Sequence, residues 1–139
     1  MTPGDVARLY IPVLSGRPKD KYCVIASTAP RVILLLISSE VSQLKRQQPD
    51  QWHSQVVIDK ASHPFLKRDS YIDCGDLFGY PPGPGGLAND LNNDPSRMLG
   101  KLSSDTLARV RAVVQRSRLL SPIQIDQILS SLPMVAETR

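Results

Sequence analysis

An α+β fold, mainly β, with an antiparallel sheet built first and helices packed on it afterwards, follows from three features of the sequence. Positions 1–78 hold short β-branched apolar runs separated by Gly, Pro and polar turns. Positions 79–96 are dense in Pro, Gly and Asn, and 97–132 hold segments of helical period with capping residues. Strands followed by helices in this order place the helices on one face or end of an antiparallel sheet. At 139 residues the chain fits one domain, with 133–139 as a tail.

The strands are expected at Asp5–Leu14, Tyr22–Ser27, Arg31–Ser38, Gln55–Asp59 and Ser70–Cys74. The first is entered through Pro3-Gly4, and Pro12 marks it as an edge or as its own end, because proline cannot donate to a ladder. A basic loop around Gly16–Lys21 precedes the second strand, and "TAP" turns it tightly into the third. That third run, "RVILLLIS", shows no alternation, so it is buried on both faces or lines a barrel. Ser39 is placed to cap a short helix containing Val41 and Leu44, stopped by Pro49. "KASHPFLKRD" reads as a turn or short helical segment, and 79–96 as a mobile loop.

Two helices close the chain. In the first, Ser103 or Ser104 is the cap and Leu107, Val110, Val113 and Val114 form the apolar stripe, with Arg109, Arg111, Arg116 and Arg118 around it. In the second, Ser121, Pro122 and Gln124 form a start signal with a capping box, Ile125, Ile128, Leu129 and Leu132 face inward, and Pro133 ends it.

Composition excludes several classes. Apolar content of 41% is ordinary for a globular protein, and the net charge of +4 only mildly favours an anionic partner. Cys23 and Cys74 lack metal-ligand or disulfide-framework spacing and read as buried thiols in a reducing compartment. No cofactor or metal is expected. "VILLLI" is far too short to span a bilayer, and no secretory pattern opens the chain, so the expected location is cytoplasmic, away from membranes.

Four stretches then acquire a joint meaning. Pro3-Gly4-Asp5 leading into a strand, a basic loop feeding "YCVIAS", a third strand ending in Ser38-Ser39, and the late "LGKLSSDTLARVRAVV" together resemble the MazF/PemK family of toxin ribonucleases, in a divergent branch marked by "HPFLKRDSYIDC". The likeness covers roughly Pro3–Ser39 and Arg97–Val114. It implies a small SH3-like antiparallel barrel with C-terminal helices, a fold shared with the gyrase poison CcdB. It also implies the toxin component of a toxin–antitoxin pair: a homodimeric, metal-independent endoribonuclease that cleaves single-stranded RNA and is bound by an antitoxin protein. Lys21 falls where the family carries an arginine, and Ser38 or Ser39 where it carries a threonine. Lysine brings a point charge in place of a rigid two-pronged fork.

Candidate site residues follow from both readings. Lys21, with Arg17 and Lys19, would hold phosphate, or else form a solvated hairpin tip. Ser38 and Ser39 would hydrogen-bond the scissile phosphate, or end a strand and cap a helix. His63 is a possible proton carrier near neutral pH, beside Lys67 and Arg68 as RNA contacts, or else a turn residue. Trp52 and Tyr71 are candidates for stacking bases, or for packing. The rival class is a non-enzymatic inhibitor or accessory protein on the same fold, binding a protein target through its C-terminal helices and the Gly/Pro-rich 79–96 loop.

Overall fold

A computed structural model describes residues 1–11, 19–79 and 86–134. The protein is α+β and mainly sheet. Six antiparallel strands, β1 (Asp5–Ile11), β2 (Lys19–Ser27), β3 (Ile33–Ser38), β4 (Gln55–Ile58), β5 (Ser70–Phe78) and β6 (Met98–Lys101), lie in the order β4-β5-β3-β2-β1-β6. The sheet curls into a half-barrel, consistent with a small SH3-like barrel carrying C-terminal helices. Register shifts between Val6 and Ala7, Ile25 and Ser27, and Leu35 and Ile37 add twist along its middle strands. The helices are α1 (Gln43–Gln47), α2 (Pro49–Trp52), α3 (Gly86–Asn93), α4 (Ser104–Gln115) and α5 (Pro122–Ser131).

Both faces of the sheet are covered, which explains the unalternating third run. Leu35 and Ile37 of β3 join Val24, Ile72, Val110, Val114 and Ile128 in the larger cluster under α4 and α5. Leu34 turns the other way, into a cluster with Leu9, Cys23 and Ile25 that α3 covers with Leu87 and Leu91. These side chains are almost wholly removed from water, each stabilising the fold by about 1.5–3 kcal/mol before entropy is counted.

Local chemistry sets the helix starts. Ser103 accepts the Thr106 N–H at 3.2 Å, and Ser121 and Gln124 exchange both bonds of a capping box at 2.9 and 3.2 Å. Arg111 is not part of a solvated arginine face. Its guanidinium donates to the Leu129 and Leu132 carbonyls at 3.0 and 2.9 Å, satisfying the end of α5. At the other end of the chain, Gly4 adopts φ +96°, which favours glycine, and its amide and carbonyl bond Ile25 and Leu102. Asp5 is buried and accepts the Thr2 amide at 2.8 Å.

Four expectations are corrected. β1 is flanked by β2 and β6, so it is no edge strand; Pro12, read also as the strand's end, lies outside the described residues. Lys19, Asp20 and Lys21 are rungs of β2 opposite Ile11, Tyr10 and Leu9, not the tip of a hairpin. Within 79–96, residues 86–93 form α3: Leu87 and Leu91 share one helical face, and packing on the sheet outweighs the poor propensity of its Asn and Gly residues. Finally, 98–101 within the segment expected to be helical is a strand, β6, which pairs with β1. Gly100 permits this, because a Cβ there would stand 2.9 Å from the Phe65 ring.

Two predictions follow from packing. Gly100→Ala would force the Phe65 ring off β6, and the expected loss of about 1–3 kcal/mol is measurable by chemical denaturation. Cys23 and Cys74 are fully buried and unpaired. Burial pushes the Cys23 thiol from 9.0 up to about 12 and raises Cys74 as well. Neither should react with an aromatic disulfide reagent at mildly alkaline pH until denaturant is added. The raised Cys23 value contributes stability in full below pH 9.0, and that contribution is lost as pH climbs towards about 12.

Candidate functional site

The sheet brings the end of β3 beside the start of β2. Tyr22 pairs with Ile37, so Lys21 and Ser38 follow one rung further on. On the other side Ser38 pairs with Tyr71 of β5, which puts Ser70 and the preceding loop alongside. The result is a cleft of about 540 Å³ bounded by Lys21 and Tyr22, by Ser38, Ser39 and Glu40, and by Leu66, Lys67, Arg68 and Ser70. Five residues singled out in the sequence, Lys21, Ser38, Ser39, Lys67 and Arg68, therefore share one wall system although they come from three separate segments.

The charge of the cleft is uncompensated. Asp20 also borders it, but its carboxylate is bonded to Arg97 at 3.1 Å and lies 3.8 Å from Arg8. Elsewhere Lys45 pairs with Asp73, and Lys101 lies 3.4 Å from Asp5. Among the described residues, the side chains of Lys21, Lys67 and Arg68 make no ion pair or hydrogen bond, and neither does Glu40. Three cations and one carboxylate, all unpaired among the described residues, thus line one cleft, an arrangement suited to an anion with several oxygens.

Ser39 is free for such a role. The cap of α1 is Ser42, whose hydroxyl accepts the Lys45 N–H at 3.3 Å; α1 stops at Gln47, just ahead of Pro49 as expected, and Pro49 then begins α2. The expected capping by Ser39 is therefore taken over by a serine three residues later, where Lys45 is anchored to Asp73 of β5.

His63 has another job. It is fully buried, does not border the cleft, and has both ring nitrogens engaged: Nδ1 lies 2.8 Å from the Asp59 carbonyl and Nε2 accepts the Ser103 N–H at 3.0 Å. This assigns the neutral Nδ1–H tautomer. A ring closed off from solvent and doubly bonded to backbone is a structural clasp, which corrects its candidacy as a proton carrier. Phe65 meets it edge-on at 5.8 Å, and the clasp fixes the loop that delivers Lys67 and Arg68. Asp69 is likewise a turn former, accepting the Lys60 N–H at 2.8 Å.

Trp52 lies outside the cleft. It is 37% exposed, with the Arg46 guanidinium 5.3 Å from its ring centre and Tyr71 at 6.1 Å. Tyr71 is the cross-strand partner of Ser38 and follows Ser70, both of which border the cleft, although neither Tyr71 nor Trp52 lines it. His53 borders a different hollow, of about 420 Å³, with Arg116 and Arg118. Arg17 is outside the described residues; Lys19 begins β2 opposite Ile11. Glu40, Tyr22 and Ser70 were not singled out from sequence. A Ser-Ser-Glu run closing a buried strand was the only signal available for Glu40.

Among the described residues no helix is long and apolar enough to cross a membrane, and no group of three or more His, Cys, Asp or Glu side chains is placed to hold a metal ion. No protein-family profile matches the chain, and no curated protein matches it significantly.

The clasp can be tested by removing it. His63→Ala leaves the Ser103 amide without its partner and opens space beside Phe65, so a loss of about 2–4 kcal/mol is expected in urea unfolding.

Proposed function

We propose that this protein is a metal-independent endoribonuclease of the MazF/PemK kind that cuts single-stranded RNA in the cleft between β2, the end of β3 and the 66–70 segment. The observation that carries the reading is that Lys21, Lys67 and Arg68, all unpaired among the described residues, line one cleft together with Ser38 and Ser39. Cleavage by the neighbouring 2′-hydroxyl puts extra negative charge on the phosphate oxygens. Fixed cations and hydroxyl donors stabilise that charge more in the transition state than in the ground state. Lys21 lacks the fork of an arginine, and Lys67 with Arg68 supplies the additional contacts from the facing loop.

In this reading Trp52 and Tyr71 stack a flanking base, a contribution typically of about 1–3 kcal/mol. The protein would act as a cytoplasmic homodimer whose growth-inhibiting activity is held in check by an antitoxin protein.

The test is cleavage of a single-stranded RNA in EDTA. Wild type is expected to cut, and Lys21→Ala to cut about 100-fold more slowly, the scale of losing one charge-stabilising group. Absence of cleavage by wild type would overturn the reading. Undiminished cleavage by Lys21→Ala would remove Lys21 from the site. An association with a protein partner that survives nuclease treatment, without any RNA cleavage, would favour the non-enzymatic rival.

A further inference from the structure

We infer that Glu40 is the general base of this cleft. The inference rests on the ribonuclease reading above and goes beyond it by assigning the proton-accepting group. A 2′-hydroxyl attacks phosphorus efficiently only when a positioned group takes its proton, and that group must reach the cleft and be free to accept.

The structure leaves few candidates. His63 is fully buried, with its accepting nitrogen already bonded to the Ser103 amide. His53 borders the other hollow. Asp20 borders the cleft, but its oxygens face Arg97 and Arg8. Asp69 does not border it and is bonded to the Lys60 amide. Glu40 borders the cleft, is exposed, follows Ser38 and Ser39 directly, and its carboxylate has no partner among the described residues. A carboxylate in a cleft of cations is ordinarily drawn into an ion pair, and this one is left free to accept a proton.

The 2′-oxygen bonds to phosphorus while its proton passes to a Glu40 oxygen. The bond from phosphorus to the 5′-oxygen breaks, and that oxygen takes a proton from water. The hydroxide so formed recovers the proton from Glu40. The products are a 2′,3′-cyclic phosphate and a 5′-hydroxyl, with Lys21, Lys67 and Arg68 around the phosphate throughout.

The experiment compares wild type, Glu40→Gln, Glu40→Ala and Lys21→Ala on a single-stranded RNA in EDTA, with binding read on the matching all-2′-deoxy oligonucleotide. Glu40→Gln is expected to lower kcat by about 100-fold or more while binding the deoxy oligonucleotide as tightly as wild type or tighter, since a negative charge leaves the cleft. Added formate should restore cleavage to Glu40→Ala and leave Lys21→Ala unchanged, which a merely structural role for Glu40 would not produce. Wild-type cleavage with Glu40→Gln within about threefold of it overturns the assignment and leaves the ribonuclease reading standing. No cleavage by wild type overturns both.

Discussion

The site depends on one buried imidazole. His63 links two backbone segments far apart in sequence, accepting from the amide of Ser103, the cap of α4, while holding the Asp59 carbonyl at the start of its own loop. The 59–69 segment is closed on itself by the Lys60 amide bonding Asp69 and by the Leu66 amide bonding the His63 carbonyl, and the imidazole adds the tie to α4. With it, Phe65 is laid against Gly100 of β6 and Leu66 enters the main core. Lys67 and Arg68 then emerge at the cleft. The cationic wall facing Lys21 is thus positioned by a neutral, uncharged contact.

That division of labour suits the electrostatics. Cations used for structure in this protein are satisfied internally: Arg111 by the end of α5, Arg97 by Asp20 and Asp94, Lys45 by Asp73. Among the described residues the cations at the cleft are not: Lys21 is half-buried and Lys67 and Arg68 are exposed, and burying all three would have cost far more. Exposed lysines of this kind gain little from a surface ion pair. Cations lining one cleft repel one another mildly, a repulsion that a bound anion would relieve.

Much of the scaffold was legible in the sequence because it rests on local signals. The Ser121-Pro122-Gln124 start of α5, the stripe of Leu107, Val110 and Val114 on α4, and the doubly buried β3 all report their surroundings through composition and period. Elements that were not legible owe their form to distant partners. β6 is four residues with a glycine, and it is a strand only because β1 offers a free edge and Phe65 needs a position without a side chain. α3 reads as turn-formers until the sheet supplies a surface for Leu87 and Leu91. His63 looked like a proton carrier because its residue type titrates near neutrality, and burial is a tertiary fact that its neighbours Ser62 and Pro64 do not encode. Lys21, Ser38, Ser39, Lys67 and Arg68 could be named singly; their meeting at one cleft depends on the β2-β3-β5 order.

If the proposed ribonuclease reading holds, the same topology offers a way for a lysine at position 21 to serve where a forked guanidinium would otherwise act. A single arginine holds two oxygens of one phosphate from one direction. Lys21 lines the cleft from β2 and Lys67 and Arg68 line it from the 66–70 segment, so a phosphate bound there would meet charges from two separate segments. A point charge carries no directional demand of its own, and the geometry is transferred from the side chain to the backbone that holds it. Precision then resides in the strand register, Tyr22 against Ile37 and Ser38 against Tyr71, and in the His63 clasp across the cleft. In such a site, shifting the register or loosening the loop would weaken phosphate recognition as surely as removing a lysine.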